Sequence, residues 1–382
     1  MLSLKKYLLA FSLFCGTVIG VGLFGLPYVS MKLGFVPMII YFIILGVVAI
    51  YSMLVYGELV CRTKGKHRLP GYVGLYLGKK LKITSLVSQI IGITGALIAY
   101  LLVGGNFLAE FLIPFFGGTK LLYIFIFFAT GSLIIYFTSK EVAQTEFAML
   151  IFFFIVIILL LFKTAPFISL SNFSTVNLKY FFLPYGVVLF SIWGASIIPE
   201  VKEFLAPKHL KLLKPTIVSG IIISIITYIL FTIAILGVTG NNTTPDALSG
   251  LKNFFHDGVI STFLIFGVLT TFTSYITLGL TLKKIFWYDF KIPHFTSWII
   301  VVIIPIGLYL LGLTNFILIM SFTGAVTLGI DTITIFLCYL KSIKKNVVKP
   351  PYSLRLPPPL LYGLMTLFLI GIIIELITVW IK

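Results

Sequence analysis

The chain has 382 residues, of which 59% are apolar and only 10% charged, with a formal net charge of +17. A mean hydropathy of +1.15 excludes a soluble globular domain, because too few polar groups remain to cover its surface; lipid must be the solvent for most of the chain. The positive charge lies in short clusters between apolar runs, which is the pattern of cytoplasmic loops and not of a nucleic-acid-binding face.

A spanning length of roughly 20 residues divides the chain into eleven predicted helices, so the expected fold is an all-α polytopic membrane protein. The first covers 7–29. It follows Lys5-Lys6 but runs past Pro27, is too long for a secretory h-region and lacks a small-x-small cleavage site, so it is read as a retained span. Spans at 34–60, 83–113, 120–138 and 145–167 follow, the third over-long and therefore expected to tilt or to extend beyond the bilayer. The sixth, 181–204, carries Ser191, Gly194 and Ser196 in its middle, with Pro184 and Pro199 on either side. The remaining spans are 216–239, 258–282, 295–312, 315–340 and 359–381.

Counting Lys and Arg by side sets the orientation. With the N-terminus cytoplasmic, the inner side holds 22 basic residues and the outer side six, which places the N-terminus inside and the C-terminus outside, in a cell membrane. Shifting the first five spans by about 174 residues superposes them on the next five, well for the third to fifth and less well for the second. Five is odd, so the second unit must enter the bilayer from the opposite side. The expected organisation is one transport domain over 1–382, made of two inverted five-helix repeats, 7–167 and 181–340, with an additional helix at 359–381.

Each repeat opens on a helix that its own sequence interrupts. In the first span, Gly16, Gly20, Gly22 and Gly25 would each cost about 1 kcal/mol relative to Ala inside a helix. Gly16-x-x-x-Gly20 fits close helix packing, but Gly20 and Gly22 point about 200° apart around a helix, so one packing face cannot use both. Gly-x-Gly ahead of Pro27 reads better as local unwinding. Unpaired backbone groups in lipid cost several kcal/mol each, so an unwound stretch must line a polar cavity. There, N–H groups at a half-helix N-terminus bind a carboxylate and free carbonyls bind an ammonium or a metal cation. A zwitterion suits such a site without any buried formal charge.

Several of these residues carry a resemblance. Cys15-Gly-Thr-Val-Ile-Gly-Val-Gly-Leu-Phe-Gly-Leu-Pro27-Tyr resembles the first-helix motif of amino-acid permeases of the amino acid–polyamine–organocation superfamily, above all its amino acid/auxin and hydroxy/aromatic amino acid permease branches. Gly95-Ala-Leu-Ile-Ala-Tyr100 and Gly186-Val-Val-Leu-Phe190-Ser-Ile-Trp193-Gly194, with Ile198-Pro199-Glu200, are similar to the third and sixth helices of that group. The resemblance covers nearly the whole chain and implies a LeuT-type fold. It also implies roles. Backbone N–H groups of Val21 and Gly22, with Gly20, would receive a substrate carboxylate; carbonyls near Thr17, Ile19 and Phe190 would receive its ammonium. Ser191 and Gly194 belong to the second unwound stretch, Trp193 would wall the side-chain pocket, and Tyr100 would close over it.

Two ion sites compete. In the eighth span Thr270, Thr273 or Ser274, and Thr277 share one helical face. In the resembled superfamily, paired hydroxyls here form a Na⁺ site with first-helix carbonyls, which implies Thr273 and Ser274 with Gly16; interhelical packing is the alternative. For proton coupling, Asp331 inside the tenth span is the leading candidate, with Glu375 in the eleventh also intramembrane. Glu58, Glu110, Glu146, Glu200 and Lys163 lie near span ends, where they are expected to snorkel to water.

Catalysis finds little support. Cys15, Cys61 and Cys338 are scattered, the four histidines fall in loops, and no HExxH, paired-carboxylate or Walker motif occurs. No cofactor is expected beyond a bound Na⁺. The function expected is therefore a secondary active transporter that moves a small amino acid by alternating access on a Na⁺ or H⁺ gradient. A sensor or channel on the same fold, and last a membrane enzyme, are the alternatives.

Overall fold

The computed structural model describes residues 2–137, 143–252, 254–255, 258–345 and 348–380. Lys140, His256 and Lys382 lie outside these residues, as does the side chain of Glu146. No strand occurs among the described residues. Among them, nine helical stretches are long and apolar enough to cross a membrane. A tenth crossing is made by two helices, Leu2–Val18 and Gly22–Leu33, bent by 50° at their junction. The 17-residue His294–Leu310 occupies the ninth position; at about 26 Å it is near the lower limit for a span.

Large apolar side chains such as Ile40, Ile43, Ile44 and Val47 of the second span stay exposed, a face that only lipid can cover. Inside, the buried residues of all spans form one continuous apolar cluster. The third and eighth spans share the most extensive helix contact in the molecule.

Side-chain pairs define the two ends of the bundle. At one end Arg68, Glu200, Lys284 and Asp289 join the connection after the second span to the ends of the sixth and eighth. At the other, Asn106 reaches Asp246 and Glu110 pairs with Lys252, while the Asn177 N–H donates to the Leu33 carbonyl. The loops rich in Lys and Arg thus gather at one face.

Two features differ from the sequence expectation, in the stretch 61–82 and in the tenth span, while the third span is over-long as expected. The stretch 61–82, read as a loop, contains the helix Leu69–Leu77, which Pro70 starts and Gly78 ends and which buries Tyr72 and Val73. The third span is one 38-residue helix, Lys79–Phe116. At about 57 Å it exceeds the ~30 Å hydrocarbon core, and Lys79, Lys80 and Lys82 mark the end that leaves it. The tenth span is interrupted: Phe316–Phe322 passes through a π-helical turn, Thr323–Thr327, into Leu328–Lys345.

Two carboxylates expected to snorkel do not. Glu58 is fully buried and accepts from Arg62 (2.7 and 2.9 Å), from the Tyr339 hydroxyl (3.1 Å) and from the Leu354 N–H (2.8 Å). Glu200 is buried between Arg68 and Lys284. Each has a cation at hand, so inward burial costs less than a lone charge would. Glu110 does stay partly exposed, paired with Lys252.

Candidate functional site

Both interrupted helices break at mid-span. In the first, the α-helical ladder ends with the Ile19 N–H on the Cys15 carbonyl; the Gly20 N–H then turns back to the Val18 carbonyl at 2.9 Å. The second half starts at Gly22, and Leu23 and Phe24 donate to Gly20 and Val21. That leaves Val21 and Gly22 as the N–H groups of the new helix start with no intrahelical acceptor. The sixth span runs helically over Leu183–Ile192, becomes extended at Trp193, passes Gly194 and a 3₁₀ turn at Ala195–Ile197, and resumes over Ile198–Leu205. Pro199 sits in the first turn of that last helix, where its missing N–H costs nothing.

The two breaks touch. A β-carbon added to Gly22 would stand 2.6 to 2.8 Å from Ser191 Oγ, Cα and Cβ, so only glycine allows this approach. Tyr228 of the seventh span ties them together. Its hydroxyl lies 2.7 Å from both the Val18 carbonyl and the Ser191 carbonyl, the C-terminal ends of the two leading half-helices. Gly20 lies directly under the Tyr100 hydroxyl.

Between the breaks is a cavity of about 70 Å³. Thr17, Val18, Gly20 and Gly22 line it from the first span, and Phe190, Trp193 and Ser196 from the sixth. Tyr100 and Gln89 of the third span and Thr323 and Asp331 of the tenth complete it. The π turn of the tenth span therefore borders the site, a common place for such turns. Trp193 is buried, its ring edge-on to Phe368. Positive half-helix N-termini and negative C-termini meet in one small space, which is the arrangement a zwitterion complements.

The expected binding residues divide. Thr17, Gly20, Gly22, Tyr100, Phe190 and Trp193 share this cavity, and Asp331 joins them. Ser191 instead donates its hydroxyl to the Val187 carbonyl and packs on Gly22. Gly194 packs on Val18 and Phe14, while the side chains of Ile19 and Val21 are buried away from the cavity.

The Na⁺-site candidates lie elsewhere. Gly16, Ile19, Thr270 and Thr273 border a void of about 20 Å³, with Phe152 and Phe153 opposite. The Ser274 hydroxyl reaches the Gly16 carbonyl at 3.4 Å, and the Thr273 hydroxyl donates to the Thr270 carbonyl at 3.3 Å. These are hard, uncharged oxygens of the kind Na⁺ accepts, so the donor chemistry fits that ion, in a setting half walled by aromatic rings.

Three participants escaped the sequence reading. Tyr228 is one of 19 tyrosines and carries no local signal. Thr323 became visible only with the π turn. Gln89, which donates to Asp331, did offer one: an amide in the middle of an apolar run.

The sequence pattern of the tryptophan/tyrosine permease family matches residues 4–378. In structure the chain is similar to Mhp1, a nucleobase-cation-symport-1 family transporter, in a closed conformation with bromovinylhydantoin bound. That likeness has a TM-score of 0.63 at 11% identity and covers 86% of this chain and 77% of Mhp1. It establishes the LeuT-type fold. No curated protein matches the chain.

Proposed function

The chain belongs to the tryptophan/tyrosine permease family and is a multi-pass membrane transporter, and from that premise we propose that it carries an amino acid across the cell membrane by alternating access, driven by a H⁺ or Na⁺ gradient. The observation that carries the reading is the meeting of two helix breaks around one cavity, with open N–H groups at Val21 and Gly22 and half-helix carbonyl ends opposite. A substrate carboxylate goes to the N–H groups around Gly20–Gly22. Its ammonium goes to the carbonyls near Thr17 and Phe190, since those of Val18 and Ser191 are engaged by Tyr228. The family's name favours an aromatic side chain, with Trp193 as its wall and Tyr100 as the closing group.

Residues 7–167 and 181–340 act as the two inverted units that rock about this site, and 359–381 stands outside them. The N-terminus is cytoplasmic, as the basic loops demand. If Na⁺ drives transport, the Thr273 and Ser274 hydroxyls with the Gly16 carbonyl are the residues that would hold it; if H⁺ does, Asp331 is the group.

The test is uptake of radiolabelled tryptophan, tyrosine and the other amino acids into proteoliposomes under imposed H⁺ or Na⁺ gradients. Gradient-dependent accumulation of at least one is expected. Binding without accumulation would point to a sensor, and downhill flux indifferent to either gradient would point to a channel.

A further inference from the structure

Two side chains, each with a buried polar atom that the substrate reading leaves idle, line one small void beside the cavity. Asp331 Oδ1 and Arg68 Nε have no hydrogen-bond partner among the described residues. Both side chains line an opening of about 10 Å³, together with Tyr56, Gln89, Ser196 and Thr281. That is near the room one water needs. Asp331 also belongs to the wall of the substrate cavity, so one carboxyl touches both spaces.

Asp331 is 2% exposed, and its other oxygen accepts from the Gln89 amide. Among the described residues no cation pairs with it. The nearby Ser88 hydroxyl gives its proton to the Thr327 carbonyl at 3.0 Å. An ionised carboxylate with the Gln89 amide and the nearby Ser88 hydroxyl but no cation, deep in a membrane protein, is costly unless it takes a proton or draws in a cation. The cation that shares its void is Arg68.

Arg68 is equally buried and is held by others. Its guanidinium donates to Glu203 at 2.8 Å, to Glu200 at 3.0 Å and to the His67 carbonyl at 3.0 Å. Lys284 adds a second cation to Glu200 at 2.9 Å. This cluster joins the segment after the second span to the sixth and eighth spans at the basic face, beside the void that Arg68 shares with Asp331. Burial works against the charge on Arg68, but Glu200 and then Glu203 outweigh it and hold the guanidinium above its ordinary range.

We propose that Asp331 is the site of the coupling proton and that its carboxylate, once formed, competes with Glu200 and Glu203 for Arg68. With the proton on, Asp331 is neutral, Arg68 stays on the two glutamates and the basic face is closed. When the proton leaves through the void toward that face, the carboxylate draws Arg68 across and the cluster parts. Return of Arg68 to the glutamates closes the basic face again, and Asp331 then takes its next proton through the substrate cavity from the opposite face. Only an O–H bond is broken and remade.

The charged surroundings allow this exchange. Around Asp331 the titratable or charged neighbours in the void are Tyr56 and Arg68; the third, sixth and eighth spans contribute only Gln89, Ser88, Ser196 and Thr281. Further along the tenth span, Tyr339 donates to Glu58 of the second span, as does Arg62. Glu375 of the eleventh span lines a different recess, beside Tyr185. Around Arg68 stand Glu200, Glu203, Lys284, Lys66, His67 and Asp289, with the Tyr288 ring 5.7 Å away.

This deepens the transport reading but depends only on proton coupling, not on which solute moves. The test is thiol labelling of a Ser196→Cys chain in nanodiscs at pH 5.5 and 8.5, with Cys15, Cys61 and Cys338 replaced by Ala. Each rate is divided by that of the same chain in denaturant at the same pH, which removes the intrinsic pH dependence of an exposed thiol. The normalised rate should rise at least about fivefold between the two pH values as the closed population falls. Asp331→Asn should remove the rise, Asp331→Glu should keep it, and Arg68→Gln should label fast at both. A flat response in the parent chain, or an Arg68→Gln rate equal to the parent's at pH 5.5, overturns the switch even if Asp331→Asn fails to fold. Flat labelling with working amino-acid uptake by the unsubstituted chain sinks the switch alone; absent uptake by the unsubstituted chain with a normal labelling response sinks the substrate reading alone.

Discussion

At Gly22 a single hydrogen atom decides whether the two helix breaks can meet. The β-carbon of Gly22→Ala would press on the Ser191 backbone as well as its side chain, so no rotamer change relieves it. Overpacking of this kind costs about 1–3 kcal/mol, and the natural relief is to separate the breaks. Gly22→Ala should therefore reduce uptake about tenfold or more while the protein still inserts and purifies; wild-type uptake would remove Gly22 from the site. Tyr228 makes the complementary case. One phenolic proton is shared between two carbonyls, each 2.7 Å away. Tyr228→Phe keeps the ring and strips the donor, leaving buried carbonyls undersatisfied at about 1–3 kcal/mol. Thermal unfolding in detergent should show a melting temperature lower by about 2–4 °C, with a raised KM for uptake. An unchanged melt and KM together would mean that the tie carries no load.

Elements were legible where the signal is local and hidden where it is tertiary. Hydropathy located the eleven spans, and Gly20-Val21-Gly22 and Ser191 to Ser196 announced the two breaks, because helix propensity and spanning length act along the chain. The helix Leu69–Leu77 and the π turn Thr323–Thr327 were not visible. The first forms because its apolar face finds the tenth span, and the second lies against the sixth. Glu58 shows the same limit. Its spacing from Arg62 suggests only a surface pair, yet it is the anchor that docks the connection ahead of the eleventh span: Ser353 and the Leu354 N–H donate to it at 3.2 and 2.8 Å, and Tyr339 joins from the tenth span. Glu58→Ala breaks the buried ion pair with Arg62 and removes the acceptor of Tyr339 and Leu354, a loss of about 3–5 kcal/mol. Limited proteolysis should then cut within 348–357 much faster than in the parent chain, whereas an uncut segment would show that its apolar contacts suffice.

For the whole molecule, the size of the cavity sets what must move. About 70 Å³ holds two waters at some 30 Å³ each, whereas sites that enclose a small molecule measure about 300–1,000 Å³. No aromatic amino acid fits between Phe190, Trp193 and Tyr100 as they stand, so the described form is contracted and binding has to expand it. The closures at the two ends differ in kind. One is the Arg68–Glu200–Glu203–Lys284 cluster, the other the Asn106–Asp246 and Glu110–Lys252 pairs. Ion pairs of this sort break singly and reform, while the packed third and eighth spans between them have no comparable freedom. Spin labels at Lys66 and Lys208 on the basic face, and at Phe116 and Asn241 on the other, should therefore report distance changes with substrate at one face at a time. Labels at the outward-facing Ile91 and Ile265, on the packed third and eighth spans, should stay fixed. Simultaneous widening at both faces would mean a pore and would contradict alternating access, and no change at either would leave a substrate of this size with no way in.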